Sequence, residues 1–448
     1  MSVRAIGAGL AAAAVLLLAA ATARAQDAPG DSLLNAYVRG MRDSTDKWFG
    51  STAAPVDTTG LDSALAAGLR LGPHHHARNR RRFSFEWGPA LGFNRADGGQ
   101  LGAGVSLGTP WLSGLSGKLQ YTTGTHDLLG EGGWTGSWRV DALHSRLGLK
   151  LAAGRYTLAF DRDYYEPILT SLNAFFAGED RHQYLRRDGF ASTLRLSAES
   201  GFVLASWRDQ LESSLPYTTD WYVFGHGPVL PFNDTAAFGR VSELGFGGEV
   251  TVPGTRFRVN ANYWTSDPQL GSDMLYRRTR VTAGGDVSLG RHLSLVPQAT
   301  YGLLRGETPP QEAFYLGGVA NMRSLKRNEL AGAGRAYGRV DLIVVDDLTR
   351  PLHLPIPARL PLQLGMFAGS GAVWGRDPVT GDAAPTTRTL PHADEFFSEV
   401  GAGVMLRLGI PNPLTALRLE LAFPIGADRR GTAYALALQE PLNLLPAP

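Results

Sequence analysis

The sequence predicts an all-β chain: a transmembrane antiparallel β-barrel of about 16 strands, preceded by a short helical periplasmic segment. Three observations carry this. Apolar and polar residues alternate with a period of two through most of residues 82–440, as in strands that show one face to an apolar phase and the other to water. The alternating segments are long, often about 10–14 residues, where a strand crossing a bilayer needs about 9–11. Short connectors alternate with long polar ones at 213–237, 306–334 and 376–395, the pattern of a barrel with tight turns at one rim and long loops at the other.

The bulk composition agrees. The chain has 448 residues with 55 glycines, 19% charged and 9% aromatic residues, a profile of neither a disordered chain nor a helical bundle. Cysteine is absent, which excludes disulfides and thiol chemistry.

The elements follow in order. Arg4 precedes the run IGAGLAAAAVLLLAAATARA, which ends on Ala23-Arg24-Ala25. A charged start, an apolar middle and a small-residue end predict a signal peptide over residues 1–25, cut before Gln26. Its removal would take Arg4 and Arg24 and leave 41 basic against 41 acidic residues. A neutral chain argues against nucleic acid as a partner. No later apolar run is long enough to span a bilayer as a helix, which excludes a helical membrane protein.

Residues 26–81 are a separate helical and linker segment. Leu33, Leu34, Tyr37, Val38 and Met41 share a helical face behind the capping residues Asp31 and Ser32. Residues 61–70 form a second helical candidate. Segment 31–49 has two readings, a plug in the lumen or a dock for a periplasmic partner. The segment closes on His74-His75-His76 and a basic run at Arg78, Arg80, Arg81 and Arg82. Three consecutive histidines cannot converge from a strand or helix, so no metal site and no cofactor are expected. The arginines read as a solvated or headgroup-contacting junction.

From residue 82 the period becomes two. Phe83, Phe85, Trp87, Leu91 and Phe93 oppose Ser84, Glu86, Gly88, Ala90 and Gly92. The same split places Arg256, Arg258, Arg280, Arg339 and Arg407 on the polar, lumen-facing side of later strands. A soluble sandwich also alternates, but glycines and paired opposite charges on the polar face suit a crowded aqueous lumen. Counting gives seventeen segments. Single-chain barrels usually take even numbers, so residues 131–163, which can be cut two ways, are read to leave sixteen. The barrel is assigned to 82–440 and a tail to 441–448.

Between two such strands lies FYLGGVANMRSL, residues 314–325. This loop and the strands after it resemble the bacterial surface antigen superfamily, which includes the central barrel of the barrel assembly machinery, the translocation and assembly module, and two-partner-secretion transporters. The family loop reads roughly F-Y-x-G-G-x-x-x-V-R-G-F and folds into the lumen. Phe314, Tyr315, Gly317, Gly318 and Arg323 match it, with Met322 at the aliphatic position. Residues 336–345, 363–375 and 401–426 are similar to the strands that follow. The sequence departs from the pattern at Ser324, Leu325 and Gly369, which stand where the family has glycine, an aromatic residue and an acid.

A guanidinium inside a barrel requires a carboxylate. Asp341 shares inward parity with Arg339 and is the expected partner of Arg323 in a lock that pins the loop. The resemblance implies a protein exported to the outer membrane of a Gram-negative-type bacterium. It would lie in lipid and assist insertion or translocation of unfolded outer-membrane proteins, or of lipids. The alternatives are a passive or structural pore, and an accessory barrel with a separate periplasmic partner, since residues 26–81 are too short and too helical for the family's POTRA domains. No catalytic residue is expected. His126 and His144 lack a G-x-S-x-G nucleophile, residues 161–166 read as a polar strand end rather than a calcium site, and glycine-rich 98–104 starts a strand.

Overall fold

Period-two alternation becomes a single meandering antiparallel sheet. The computed structural model describes residues 84–439, except 109–113, 141–144, 160–170, 172, 178–179, 181, 217, 227–235, 254, 319–320, 350–360, 379–387, 408–415 and 426–432. The predicted leader, helical segment 26–81 and tail 441–448 lie outside the described residues.

Sixteen strands of seven residues or more are described. They are β1 (Ser84–Asn94), β2 (Gly98–Gly108), β3 (Gly114–Thr122), β4 (Leu128–Val140), β5 (Ser145–Ala159), β6 (Tyr184–Ala198), β7 (Gly201–Ser214) and β8 (Gly239–Thr251). The second half holds β9 (Arg258–Ser266), β10 (Tyr276–Gly284), β11 (Leu293–Gly306), β12 (Gly334–Val344), β13 (Leu362–Trp374), β14 (Phe397–Arg407), β15 (Ala416–Ile425) and β16 (Ala433–Gln439). Each pairs with the next in sequence. Residues 131–163 hold most of β4 and β5, so two strands occupy the ambiguous stretch. A two-residue piece, Val287–Ser288, continues the line of β10 past Gly285 and pairs with Leu295 and Ser294. Among the described residues β1 pairs only with β2 and β16 only with β15. A bilayer offers no water to satisfy open edges, so these two strands are the seam at which the sheet closes into a barrel.

The two faces sort as the alternation requires. Along β15, Leu419, Leu421, Phe423 and Ile425 are exposed, while Arg418, Glu420 and Ala422 between them are buried. Trp87 on β1 is 73% exposed, and Ala90, of opposite parity, only 1%. Charges inside and bare aliphatics outside invert a soluble protein, and that inversion defines a membrane barrel. Among the described residues no helix is long and apolar enough to cross a membrane.

The strand ends that flank the three long connectors of the sequence, and those that flank residues 160–183, all lie at the rim opposite the start of β1. Residues 218–219 of the β7–β8 loop lie over the β1–β2 turn, where the Arg95 Nε donates to the Thr219 carbonyl at 3.1 Å. The packed core sits inside the sheet, around residues 307–333 of the β11–β12 loop. Phe314 buries against Val241, Met274, Tyr276 and Leu304. Leu316, Met322, Leu325 and Tyr337 form a second cluster.

Candidate functional site: a loop held across the lumen

The loop enters the barrel through small inward residues. A Cβ on Gly302 would lie 2.3 Å from the Phe314 ring, and one on Gly371 would lie 3.1 Å from Leu316. Wall glycines therefore make the volume that the loop fills. Phe314–Leu316 pairs with Leu330–Gly332 as a short ladder. The chain then turns through Gly317 (φ 126°) and Gly318 (φ 95°), a left-handed conformation that favours glycine. Asn321 fixes the turn: its side-chain Oδ1 accepts from the Gly317 and Met322 N–H groups, both at 2.7 Å.

That turn delivers Arg323, 5% exposed, to the inner wall of β12–β15. Its Nε donates to the Glu420 carboxylate, and its Nη1 to the Asn321 carbonyl at 3.2 Å. Its guanidinium lies 5.2 Å from the Phe367 ring centroid, with that of Arg339 at 3.9 Å from the same ring. Glu420 also accepts from Arg339 at 2.9 Å and pairs with Arg418 at 2.7 Å.

Asp341, the partner expected from parity, is engaged elsewhere. It accepts from the Arg339 Nε at 2.8 Å and from Arg418 at 2.7 Å. The correction has a geometric cause. Arg339 is two residues away on the same inward face of β12 and claims Asp341, whereas Glu420 reaches Arg323 from three strands further round. The result is one buried cluster of three guanidinium groups (Arg323, Arg339, Arg418) and three carboxylates (Asp341, Glu399, Glu420). Balanced charge is the condition under which such groups tolerate burial.

The departures from the family loop fit this geometry. Glu399 accepts from the backbone N–H groups of Arg323 at 3.1 Å and Ser324 at 2.7 Å. Gly369 lies opposite Glu399 in register, and a Cβ there would sit 3.8 Å from Glu399 Oε1. The acid absent at 369 is thus replaced by one on the adjoining strand. Leu325, in the aromatic position, is 3% exposed and serves as an apolar anchor.

A second anchor, which the sequence reading missed, holds the root of the loop on the other wall. Glu312 accepts from Arg208 of β7 at 2.6 Å and from Arg278 of β10 at 3.1 Å. Gln311 donates to Glu212 at 3.0 Å, and Arg187 of β6 donates to the same carboxylate at 2.7 Å. Glu243 of β8 accepts from Arg208 at 3.0 Å and from the Tyr276 hydroxyl at 2.7 Å. Beyond the tip, Arg327 lies 2.7 Å from His182 Nδ1. The loop is a strap, fixed to β6–β10 at its root and to β12–β15 at its tip. Charges at inward parity on β6, β7 and β8 were the available signal, but parity does not say which of them meet.

The remaining predicted arginines divide. Arg280 is buried on the inner face, and Arg339 belongs to the tip cluster. Arg258 is half-exposed, 4.0 Å from Glu249. Arg256 precedes β9 instead of lying within it and donates to Asp286 at 3.1 Å. The side chain of Arg407 lies outside the described residues.

Comparison with known proteins agrees with this architecture. Residues 249–435, from the end of β8 into β16, match the family model for the Omp85 superfamily domain. The fold is a transmembrane antiparallel β-barrel. Among solved structures it is similar to CdiB from Escherichia coli (12% identity, TM-score 0.41, 80% of this chain and 60% of that one). It is also similar to CdiB from Acinetobacter baumannii (12% identity, TM-score 0.38, 80% and 66%). A third is Pseudomonas aeruginosa OccK11 (OpdR) (13% identity, TM-score 0.29, 79% and 91%). The chain spans less than two thirds of the length of either CdiB. No curated protein matches it.

Proposed function

We propose that this barrel assists insertion or translocation of outer-membrane polypeptides, with the strap 307–333 holding the lumen in its resting state. The observation that carries the reading is the engagement of Arg323 by Glu420 inside an Omp85-type domain. A loop tied at both ends across a lumen suits a path that opens on demand better than a permanently open channel. Its ties are charge-assisted hydrogen bonds, strong while dry and weakened once water enters. The seam is the second moving part. β16 has seven residues, so few cross-strand rungs hold that edge and a client strand can pair there. A periplasmic arm contributed by a separate chain is compatible with both.

A passive pore is the second reading, favoured by the small inward residues of β1 and β2. A Cβ on Gly88 would meet nothing within 4 Å. The deciding experiment reconstitutes the full chain in liposomes and times the folding of an unfolded outer-membrane client beside Arg323→Ala. Acceleration by wild type that the substitution abolishes supports the assembly role. No acceleration, with a steady ion conductance that the substitution raises, rejects it in favour of the pore.

A further inference from the structure

The outer wall near the loop-bearing rim carries four strand arginines, and the sheet treats them in two ways. Arg155 of β5 lies 3.4 Å from Asp127, and Arg240 of β8 lies 2.5 Å from Asp209. Arg277 of β10 and Arg305 of β11 face each other directly in register. Both are exposed, on the opposite parity from the lumen residues Arg278 and Arg280. Among the described residues neither has a carboxylate partner. The nearest acid along the chain, Glu307, is engaged by the Leu275 N–H at 3.1 Å.

Two like charges directly opposite on a sheet face repel, and on a lipid-facing wall that repulsion is relieved only by an anion from outside the chain. The level is right for one. β10 begins at Tyr276, so the pair stands at the second rung from the rim, where arginine costs little compared with the midplane. Below it the cross-strand rungs are Thr279–Leu303, Val281–Tyr301 and Ala283–Ala299. Leu303 is only 9% exposed, while Val281, Tyr301, Ala283 and Ala299 present methyl and ring surface suited to acyl chains. Directly opposed strand residues lie about 5 Å apart at Cα, so both guanidinium forks can converge on one phosphate, which they match in geometry.

We infer that Arg277 and Arg305 form a binding site for the phosphate-bearing headgroup of an outer-leaflet lipid, whose acyl chains lie down the β10–β11 wall. The site is independent of whatever the lumen passes. It would fix the rotation and depth of the barrel in the outer leaflet on the side from which the strap emerges, because β11 runs directly into that loop.

The test is native mass spectrometry on the detergent-solubilised full chain, titrated with phosphatidic acid, with diacylglycerol of the same acyl chains, and with inorganic phosphate. Wild type is expected to bind phosphatidic acid about tenfold more tightly than Arg277→Gln/Arg305→Gln. Diacylglycerol should bind both proteins equally and weakly. Arg240→Gln, which removes a paired arginine from the same rim, should bind as wild type does. If the double variant fails to fold, as judged by heat-modifiable mobility, Arg305→Gln alone is used and should lose part of the affinity. Equal binding by wild type and a folded variant would overturn the site. Displacement of the lipid by millimolar phosphate would reduce it to a free-anion site.

Discussion

Glu420 is the residue on which the tip cluster turns. It touches three guanidinium groups, from Arg323, Arg339 and Arg418, and is 3% exposed. Gly403 opposite it supplies its space: a Cβ there would lie 2.7 Å from Glu420 Cγ. Removing one partner of a buried ion pair costs about 3–5 kcal/mol, because the other charges stay buried and uncompensated. Glu420→Ala should therefore lower the unfolding free energy in detergent by about that much, while Glu395→Ala, whose partner Arg388 is partly exposed, should change it by less than about 1 kcal/mol. Denaturant titration of both variants measures the difference, and equal small effects would mean that the cluster is wet. The sequence made the face of each of these residues legible but not the pairing. Alternation fixed Asp341 and Glu420 as inward, since slipping one residue would expose every charge to lipid, whereas Arg323 was placed in the lumen only by the resemblance of its loop. Which carboxylate meets the loop depends on how far the loop reaches round the wall, which no local pattern encodes.

At the scale of elements, strands were the most legible feature, because all but β16 run nine residues or more with apolar and polar residues alternating. The root of the strap was not. Arg208, Glu212, Glu243 and Glu312 lie up to 104 residues apart and meet only when the sheet curls. The element with the weakest hold is β16. Its register with β15 has seven rungs, Ala416↔Gln439 through Ala422↔Ala433, whereas β5 and β6 share fourteen. Local opening free energy follows the number of pairs that must break together. Amides of β16 are thus expected to exchange hydrogen faster than those of β5–β6, by at least about tenfold in folded protein in lipid. Peptide-resolved hydrogen exchange reads this directly. Equal protection at both places would remove the seam from the proposed mechanism and leave the strap as its one moving part.

For the whole molecule, the lumen wall has two unlike halves. From β6 to β15 it carries paired charges and the seated strap. From β1 to β3 it presents Gly88, Gly104 and Lys118 in one register line, and the Cβ positions of Gly88 and Gly104 are nearly free of neighbours. Composition hinted at this through 55 glycines, but it did not distinguish glycines that make room for the loop, such as Gly302, from those that leave room for something else. The distinction is testable. Gly302→Phe would collide with Phe314 and should unseat the strap. Gly104→Phe should fold normally, since inserting bulk costs stability only where the surroundings are packed. If ions pass beside the seated strap along β1–β3, Gly104→Phe lowers the resting single-channel conductance in planar bilayers, and Gly302→Phe raises it. If Gly104→Phe leaves the resting conductance unchanged while Gly302→Phe and Arg323→Ala both open a large one, the strap closes the lumen completely, and the small-residue wall is the surface along which it swings aside.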